Sequence, residues 1–235
     1  MRARRNSRRG PGGNCTRMKT AAPARRDRTL SPRREPLQQR SLARAQQILQ
    51  VSAELLEEVG LDTLTTILIA RRSGISVGTL YHYYPNKHAI LHAMAERWLR
   101  EVERSLDEVD AWPLGELALP QFVDRLVERQ LVVYREQRGI LHLVQAMFSI
   151  PELRELDQRH DALVIERMAK AFGRYGLKGS SIGLGRLARA YLELTHALLL
   201  VVANQAGSRS RRTLTDLKRV TTALLEPYLE EESPP

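Results

Sequence analysis

The segment between residues 65 and 87 constrains the fold most, because a glycine there separates two short helical patterns. Thr65 or Thr66 precedes the first pattern and Ser76 precedes the second, and such hydroxyls accept hydrogen bonds from the free N–H groups of a helix start. Gly74 allows a turn that other residues would find strained. The sequence therefore predicts helices over 66–73 and 77–84, a pair typical of a helix-turn-helix unit.

Apolar spacing predicts how this pair packs and which residues stay outside. A preceding amphipathic helix ends at Gly60, and four apolar residues of the pair would pack against it: Ile69, Ala70, Ile75 and Leu80. A helix fits the major groove of DNA and presents its N-terminal residues to the base edges. Val77, Gly78 and Thr79 are therefore candidates for base contacts, whereas Tyr81 and Lys87 suit phosphate contacts. The alternative is a generic three-helix unit in which the aromatic residues nearby are core: Tyr83, Tyr84 and Trp98.

Residues 65–76 and 78–87 together resemble the TetR family of bacterial one-component regulators, and the likeness covers about residues 40–100. The resemblance implies that Thr66, Thr79, Tyr81 and Lys87 hold DNA phosphates and that Val77, Gly78 and His82 lie along the groove. Ile67 and Leu68 are apolar where the family usually places polar residues. The predicted DNA-binding residues are Thr65, Thr66, Ser76, Val77, Gly78, Thr79, Tyr81, His82, Tyr83 and Lys87.

The rest of the chain is predicted to be helical, so the fold class is all-α. Apolar periodicity and Gly or Pro breakers place helices over 87–105, 120–137, 139–149, 151–175, 185–204 and 210–230. The helix-turn-helix domain would span residues 39–100 and a second helical domain residues 101–230, with a disordered terminus at 231–235. The resemblance implies that the second domain senses a ligand and forms a homodimer.

Two apolar stripes in the last helices fit either a homodimer interface or internal core. The stripes are Leu187, Tyr191, Leu194, Leu198 and Val201, and then Leu214, Leu217, Val220 and Leu224. A homodimer is the better interpretation, because two recognition helices match the two halves of a palindromic operator.

A ligand pocket is the least constrained prediction. Eight residues mix apolar surface with a few polar groups, as pockets do: Leu141, His142, Met147, Phe148, Met168, Phe172, Tyr191 and Thr195. The alternative is that methionine and phenylalanine at helical spacing fill the core. An effector bound by this set would be apolar or amphipathic, because charged residues are scarce on these stripes.

The net charge of +10 belongs to the N-terminal segment and not to the predicted domains. Residues 1–40 contain 13 Lys/Arg and 2 Asp/Glu, and the remaining residues contain 24 and 25. Residues 1–38 lack apolar periodicity and are predicted to form a disordered basic tail. The tail either adds non-specific phosphate contacts or is an extension without a precise role, with Met18 as another candidate start.

Sites for catalysis, a metal or a cofactor are not predicted. His88 and His92 are spaced i, i+4, which can hold a metal, but only Glu96 offers itself as a third ligand. The single Cys15 excludes an intramolecular disulfide and fits a reducing compartment. We therefore expect a cytoplasmic, nucleoid-associated DNA-binding regulator that is not an enzyme and has no membrane partner.

The expected partners are palindromic double-stranded operator DNA, a second copy of the chain and a small-molecule effector. The favoured hypothesis is a repressor that an apolar or amphipathic ligand releases from its operator. The alternatives are a regulator that answers to a protein partner instead of a ligand, and an activator.

Overall fold

The computed structural model describes residues 37–229, and within that range the chain forms nine α-helices and no strands. Single turns of 3-10 helix lie at Leu114–Glu116 and Glu226–Tyr228. The predictions for residues 1–36 and 231–235 lie outside the described residues. The helices are α1 (Leu37–Thr63), α2 (Thr66–Arg72), α3 (Val77–Tyr83), α4 (Lys87–Asp110), α5 (Leu119–Glu136), α6 (Ile140–Ser149), α7 (Pro151–Tyr175), α8 (Ser181–Ala203) and α9 (Gly207–Leu225).

The all-α prediction is confirmed, but the predicted boundaries of α4, α8 and α9 are wrong by three or more residues, and α9 spans Gly207–Leu225 instead of residues 210–230. Helix α4 continues to Asp110, because Pro113 is the first residue after Ser105 that cannot continue a helix. Helix α8 starts at Ser181 instead of residue 185, because the Ser180 hydroxyl caps it by accepting from the Gly183 N–H at 3.1 Å. Residues 37 and 38, predicted as tail, belong to α1.

The chain bends at Gly60, where a φ of 75° and a ψ of 177° interrupt the helical geometry of α1. A side chain would be strained in this left-handed region. After the bend, α2 packs against α1, and α3 packs against α2. The core of this N-terminal bundle includes Ile48, Leu55, Leu56, Leu64, Ile69 and Leu80, each fully buried.

Aromatic rings form the centre of the C-terminal bundle. Phe172 of α7 makes edge-to-face contacts with Phe122 of α5 and with Tyr191 of α8, at ring-centroid distances of 6.5 and 5.5 Å. Tyr175, also of α7, stacks on the Phe122 ring at a centroid distance of 4.4 Å. All three helices are therefore tied together by one aromatic cluster, whose edge-to-face pairs contribute about 0.5–1.5 kcal/mol each beyond burial.

Helix α4 belongs to both bundles. Its first turn follows the short helix pair after Pro85 and Asn86, and the Asn86 side chain caps it by accepting from the Ala89 N–H at 2.8 Å. Its last turns carry Asp107 and Asp110, which form ion pairs with Arg167 of α7. An α-helix rises about 1.5 Å per residue, so α4 is one rod of about 36 Å between the two bundles.

No helix within residues 37–229 combines the length and the apolar character needed to cross a bilayer.

Candidate functional site

Two hydroxyl caps and one glycine turn build the helix-turn-helix unit. The Thr65 hydroxyl accepts from the Leu68 N–H at 3.2 Å at the start of α2, and the Ser76 hydroxyl accepts from the Thr79 N–H at 3.0 Å at the start of α3. Gly74 sits between the helices with a φ of 66°. Ile69, Ala70 and Leu80 are buried and Ile75 is half-buried. The predicted helix pair is confirmed, and the four apolar residues predicted to face inward are buried or half-buried.

The outer face of α3 carries a row of exposed polar side chains. Ser76, Thr79, Tyr81 and His82 are exposed, and Gly78 exposes the backbone between them. The Ser76 and Thr79 hydroxyls are 2.9 Å apart, and either one donates to the other. This face therefore offers hydroxyl and imidazole groups to a ligand that approaches along the helix.

Four of the predicted DNA-binding residues are only half-exposed. Val77 and Tyr83 pack against the core, and Tyr83 meets the His82 ring edge to face at 5.5 Å. The hydroxyl of Thr66, on α2, is 3.2 Å from the Tyr81 hydroxyl. Lys87 donates from Nζ to the Leu61 carbonyl oxygen at 3.2 Å, so its ammonium also holds the end of α1. Sequence spacing alone gave no signal for these two contacts between elements.

The two apolar residues of α2 have different environments. Leu68 is half-buried and packs against the core, whereas Ile67 is 66% exposed. Arg72, at the end of α2, makes a two-bond ion pair with Glu58 of α1, with N–O distances of 3.1 and 2.8 Å. The hydrogen bonds from Arg72 lower the pKa of the Glu58 carboxyl. Arg72 therefore fastens α2 to α1.

The eight residues predicted as a ligand pocket divide between core and surface. Met147, Met168, Phe172, Tyr191 and Thr195 are at most 1% exposed, and the Thr195 hydroxyl donates to the Tyr191 carbonyl oxygen at 2.8 Å. Leu141 and Phe148 are exposed, Phe148 to 59%. His142 is half-buried and lies against Gly60, where an added Cβ would be 3.5 Å from its ring. The structure does not bring these eight side chains around one cavity.

The two apolar stripes of α8 and α9 also divide. Leu187, Tyr191 and Leu217 are buried inside the bundle. The half-buried members are Leu194, Leu198, Leu214 and Leu224, of which the last three also pack against the core, and the exposed members are Val201 and Val220. The structure therefore leaves an apolar outer face on α8 and α9, which the sequence alone did not separate from the core.

A polar cluster lies inside the C-terminal bundle between α4, α5 and α8. Tyr134 Oη and His196 Nδ1 are hydrogen-bonded at 2.6 Å, and Trp98 meets the Tyr134 ring edge to face at 5.5 Å. Burial lowers the pKa of the His196 imidazole and raises the pKa of the Tyr134 hydroxyl. At neutral pH the pair is therefore an uncharged hydrogen bond between helices.

Two acidic residues of α7, Asp157 and Asp161, are half-buried beside this cluster. Burial, together with the negative charges of Asp157 and Glu193, raises the pKa of Asp161 to about 6. An acid with a raised pKa in the folded state binds a proton that the unfolded chain releases. The Asp161 charge therefore destabilises the fold above pH 6, and the penalty disappears below about pH 4.

We expect Asp161→Asn to raise the free energy of unfolding at pH 8 by about 1 kcal/mol. The raised pKa alone would correspond to a larger change in the free energy of unfolding. The side chain is half-exposed, however, so solvent screens part of its charge and reduces the effect. Urea denaturation at pH 8 and pH 4 measures the effect, with the exposed Asp62→Asn as a matched charge control. An equal gain at both pH values would contradict this assignment.

Within the described residues no three His, Cys, Asp or Glu side chains converge on a point where they could hold a metal ion. His88 is exposed, and His92 Nδ1 lies 3.9 Å from a Glu96 carboxylate oxygen.

Sequence profiles of one family match both bundles of the chain. A profile described as bacterial regulatory proteins, tetR family, matches residues 48–94, and one described as tetracyclin repressor-like, C-terminal domain, matches residues 118–225.

Individual relatives match only part of the chain, at low to moderate sequence identity. The transcriptional regulator BetI of Stenotrophomonas maltophilia is 25% identical over 133 residues, which cover 56% of this chain and 68% of the relative. The class A tetracycline repressor of Escherichia coli is 33% identical over 94 residues, or 38% of this chain and 40% of the relative. The chain therefore spans less than half of that repressor.

Solved structures share the helical arrangement over most of the chain. A TetR-family regulator from Streptomyces coelicolor superposes with a TM-score of 0.56 and 24% identity, over 79% of this chain and 99% of that one. A TetR-like regulator from Rhodococcus superposes with a TM-score of 0.61 and 20% identity, over 80% of this chain and 97% of that one. FadR of Thermus thermophilus, a repressor in complex with lauroyl-CoA, superposes with a TM-score of 0.53 and 21% identity, over 81% of this chain and 98% of that one. With the helix-turn-helix geometry, both family profiles and this shared fold in agreement, the chain belongs to the TetR family of transcriptional regulators.

Proposed function

We propose that this protein is a repressor that binds a palindromic operator as a homodimer and leaves it when a small amphipathic ligand binds. The observation that carries the proposal is the outer face of α3, where Ser76, Gly78, Thr79 and Tyr81 are exposed. The opposite side of the helix is anchored in the core by the fully buried Leu80. A short rigid helix with polar groups on its first turn fits the major groove.

A division of roles along α3 follows from burial. Thr79 is exposed in the first turn, so its methyl and hydroxyl groups are available to base edges. Val77 is half-buried and offers less surface. Thr66, Tyr81 and Lys87 lie at the edges of the face and would contact phosphates, which fix register without reading sequence.

The apolar outer face of α8 and α9 supports the homodimer. Leu194, Leu198, Val201, Val220 and Leu224 lie on adjacent antiparallel helices, and Val201 and Val220 are 39% and 45% exposed. Two copies of such a face form a four-helix interface about a two-fold axis. A two-fold dimer would present its two α3 helices to two half-sites of a palindrome.

Helix α4 supports communication between a ligand and the DNA. One end follows α3 directly and the other end is held on α7 by Arg167 through Asp107 and Asp110. A ligand that moves α7 against α4 would shift α3 with it. A coupling free energy of about 1–3 kcal/mol changes operator affinity about 5–150-fold. The structure of FadR with lauroyl-CoA shows that a protein of this fold binds an amphipathic ligand.

Selection from random double-stranded DNA tests the proposal. The full chain should enrich one inverted repeat, and the complex on that DNA should contain two copies of the chain. Selection that enriches no repeat, or a complex with one copy, would overturn it.

Two variants separate positioning from sequence recognition. Lys87→Ala should weaken binding to selected and random DNA alike and flatten the salt dependence by about one unit, because one phosphate contact is lost. Thr79→Ala should lose about 1–3 kcal/mol of binding free energy on the selected operator only, and it should relax the base preference at one operator position. Fluorescence anisotropy at several salt concentrations measures both. Equal losses for Thr79→Ala on both DNAs would show that Thr79 does not read a base.

A further inference from the structure

A surface cleft of about 310 Å³ separates α4 from α7 and contains none of the residues predicted as a pocket from the sequence. Each helix contributes four residues at i, i+3, i+4 and i+7, which is one continuous helix face. Its volume is at the lower end of the about 300–1,000 Å³ typical of small-molecule sites. The lining residues are Glu96, Leu99, Arg100 and Glu103 of α4, and Leu156, Arg159, His160 and Leu163 of α7.

His160 is a buried polar residue in the wall of this cleft. Only 8% of the residue is exposed, and its Nδ1 atom is buried without a hydrogen-bond partner in the described residues. The nearest carboxylate oxygen, on Glu103, is 3.6 Å away, too far for a hydrogen bond. Burial lowers the pKa of the imidazole, so the ring is neutral at pH 7 and one ring nitrogen donates. Buried polar atoms in proteins normally have hydrogen-bond partners, so a polar ligand in the cleft would supply the partner that the His160 ring lacks.

The two guanidinium groups of the cleft have no carboxylate partner within residues 37–229. Arg100 and Arg159 form no ion pair within 4.0 Å in the described part of the chain, whereas Arg104 binds Glu101 and Arg129 binds Glu108. Within that part, Arg159 Nε donates only to the Glu155 carbonyl oxygen, at 3.3 Å. The two carboxylates of the cleft each lie beside a histidine, at 3.9 Å for Glu96 and 3.6 Å for Glu103. The formal charges of the two carboxylates and the two guanidinium groups in the cleft therefore balance, but neither guanidinium is held in an ion pair by a described residue. A guanidinium offers paired N–H donors that match the two oxygens of a carboxylate.

Leucine side chains form the apolar part of the cleft. Leu99 is 4% exposed at its base, Leu156 is half-buried, and Leu163 is 37% exposed at its edge. A hydrocarbon chain that covered Leu156 and Leu163 would remove their apolar surface from water, at about 25 cal/mol per Å². The cleft thus combines apolar leucine side chains with two guanidinium groups that form no ion pair in the described residues.

We propose that the α4–α7 cleft binds a small amphipathic carboxylate. Arg100 and Arg159 bind the carboxylate, the His160 imidazole donates a further hydrogen bond to it, and the three leucines contact the hydrocarbon chain. The assignment of this carboxylate as the effector rests on the proposed function. The cleft is suited to that role because one of its walls is α4, the helix that follows α3 in the chain. Binding in the cleft is a separate property of the chain.

Isothermal titration of the full chain with sodium octanoate tests the site. Octanoate should bind, and octan-1-ol and octylammonium should bind at least about tenfold more weakly, because neither presents an anion. Arg100→Gln and Arg159→Gln should each weaken octanoate binding at least about tenfold. Arg104→Gln, on the same helix but outside the cleft, should leave it unchanged.

Three results would overturn the site: no heat with octanoate, equal binding of octylammonium, or unchanged octanoate binding in the double variant Arg100→Gln/Arg159→Gln. Operator affinity of the same preparations separates this site from the proposed function. Octanoate should lower operator affinity of the unmodified chain but not of the double variant. If operator DNA is bound and octanoate is not, only the cleft assignment fails; if octanoate binds and no operator is selected, only the repressor proposal fails.

Discussion

Phe172→Ala is expected to lower the free energy of unfolding by about 3–5 kcal/mol, the range for a phenylalanine removed from a packed core. Phe172 is fully buried and joins α5, α7 and α8 through its contacts with Phe122 and Tyr191. Removing the ring leaves a cavity that rigid neighbouring helices fill only in part. Both aromatic contacts are lost as well, so we place the effect toward the upper end of the range.

Phe148→Ala is the matched control for this prediction. Both residues were candidates for the same pocket in the sequence, but Phe148 is 59% exposed on α6. Its replacement should change stability by no more than about 0.5 kcal/mol. Urea denaturation of both variants at one protein concentration measures the difference, because dimerisation would make stability depend on concentration. A loss below about 1 kcal/mol for Phe172→Ala would mean that this ring borders an open ligand cavity and is not core.

Gly139→Ala is expected to lower the free energy of unfolding by about 2–5 kcal/mol. Gly139 precedes α6 with a φ of 66°, where a side chain costs about 1–2 kcal/mol. An added Cβ would also lie 3.1 Å from the Ala53 carbonyl oxygen and 3.1 Å from the Glu57 nitrogen of α1. Both neighbours are helix backbone and cannot rotate away, so overpacking adds about 1–3 kcal/mol.

Gly74→Ala isolates the backbone component of that effect. Gly74 has the same φ of 66°, but an added Cβ there meets nothing within 4 Å. Its replacement should cost only the conformational strain of about 1–2 kcal/mol. Thermal and urea denaturation compare the two variants. Equal losses would show that α6 does not press against α1 at Gly139.

Gly139→Ala should also affect DNA binding in a way that Phe172→Ala does not. Gly139 lies close to Glu57 of α1, and His142 of α6 lies close to Gly60 of α1. An outward shift of α6 would change the orientation of the N-terminal bundle relative to the C-terminal one. At temperatures where both variants are folded, the affinity of Gly139→Ala for selected operator DNA should fall further than that of Phe172→Ala.

The helix-turn-helix unit was predictable because its determinants are local. The capping hydroxyls of Thr65 and Ser76, the turn at Gly74 and the spacing of Ile69, Ala70 and Leu80 all act within a few residues of one another. Such signals do not depend on how distant parts of the chain pack. For the same reason the helices of the C-terminal bundle were predicted, and the errors lie at their ends, for example at the start of α8, where the cap at Ser180 was overlooked.

Tertiary structure decided which face of each helix is core and which is surface. Periodicity marked Phe148 and Phe172 alike as apolar helix residues, and only the packing of α7 against α5 and α8 buried one and left the other exposed. The cleft between α4 and α7 was also invisible in the sequence, because its two stripes are about 60 residues apart and their charges become neighbours only when the helices meet. The sequence thus determined the helices and the recognition unit, since hydrogen bonding and capping within a helix are local. Packing between helices determined the outer face of α8 and α9 and the cleft beside His160, because burial depends on partners that no single segment contains.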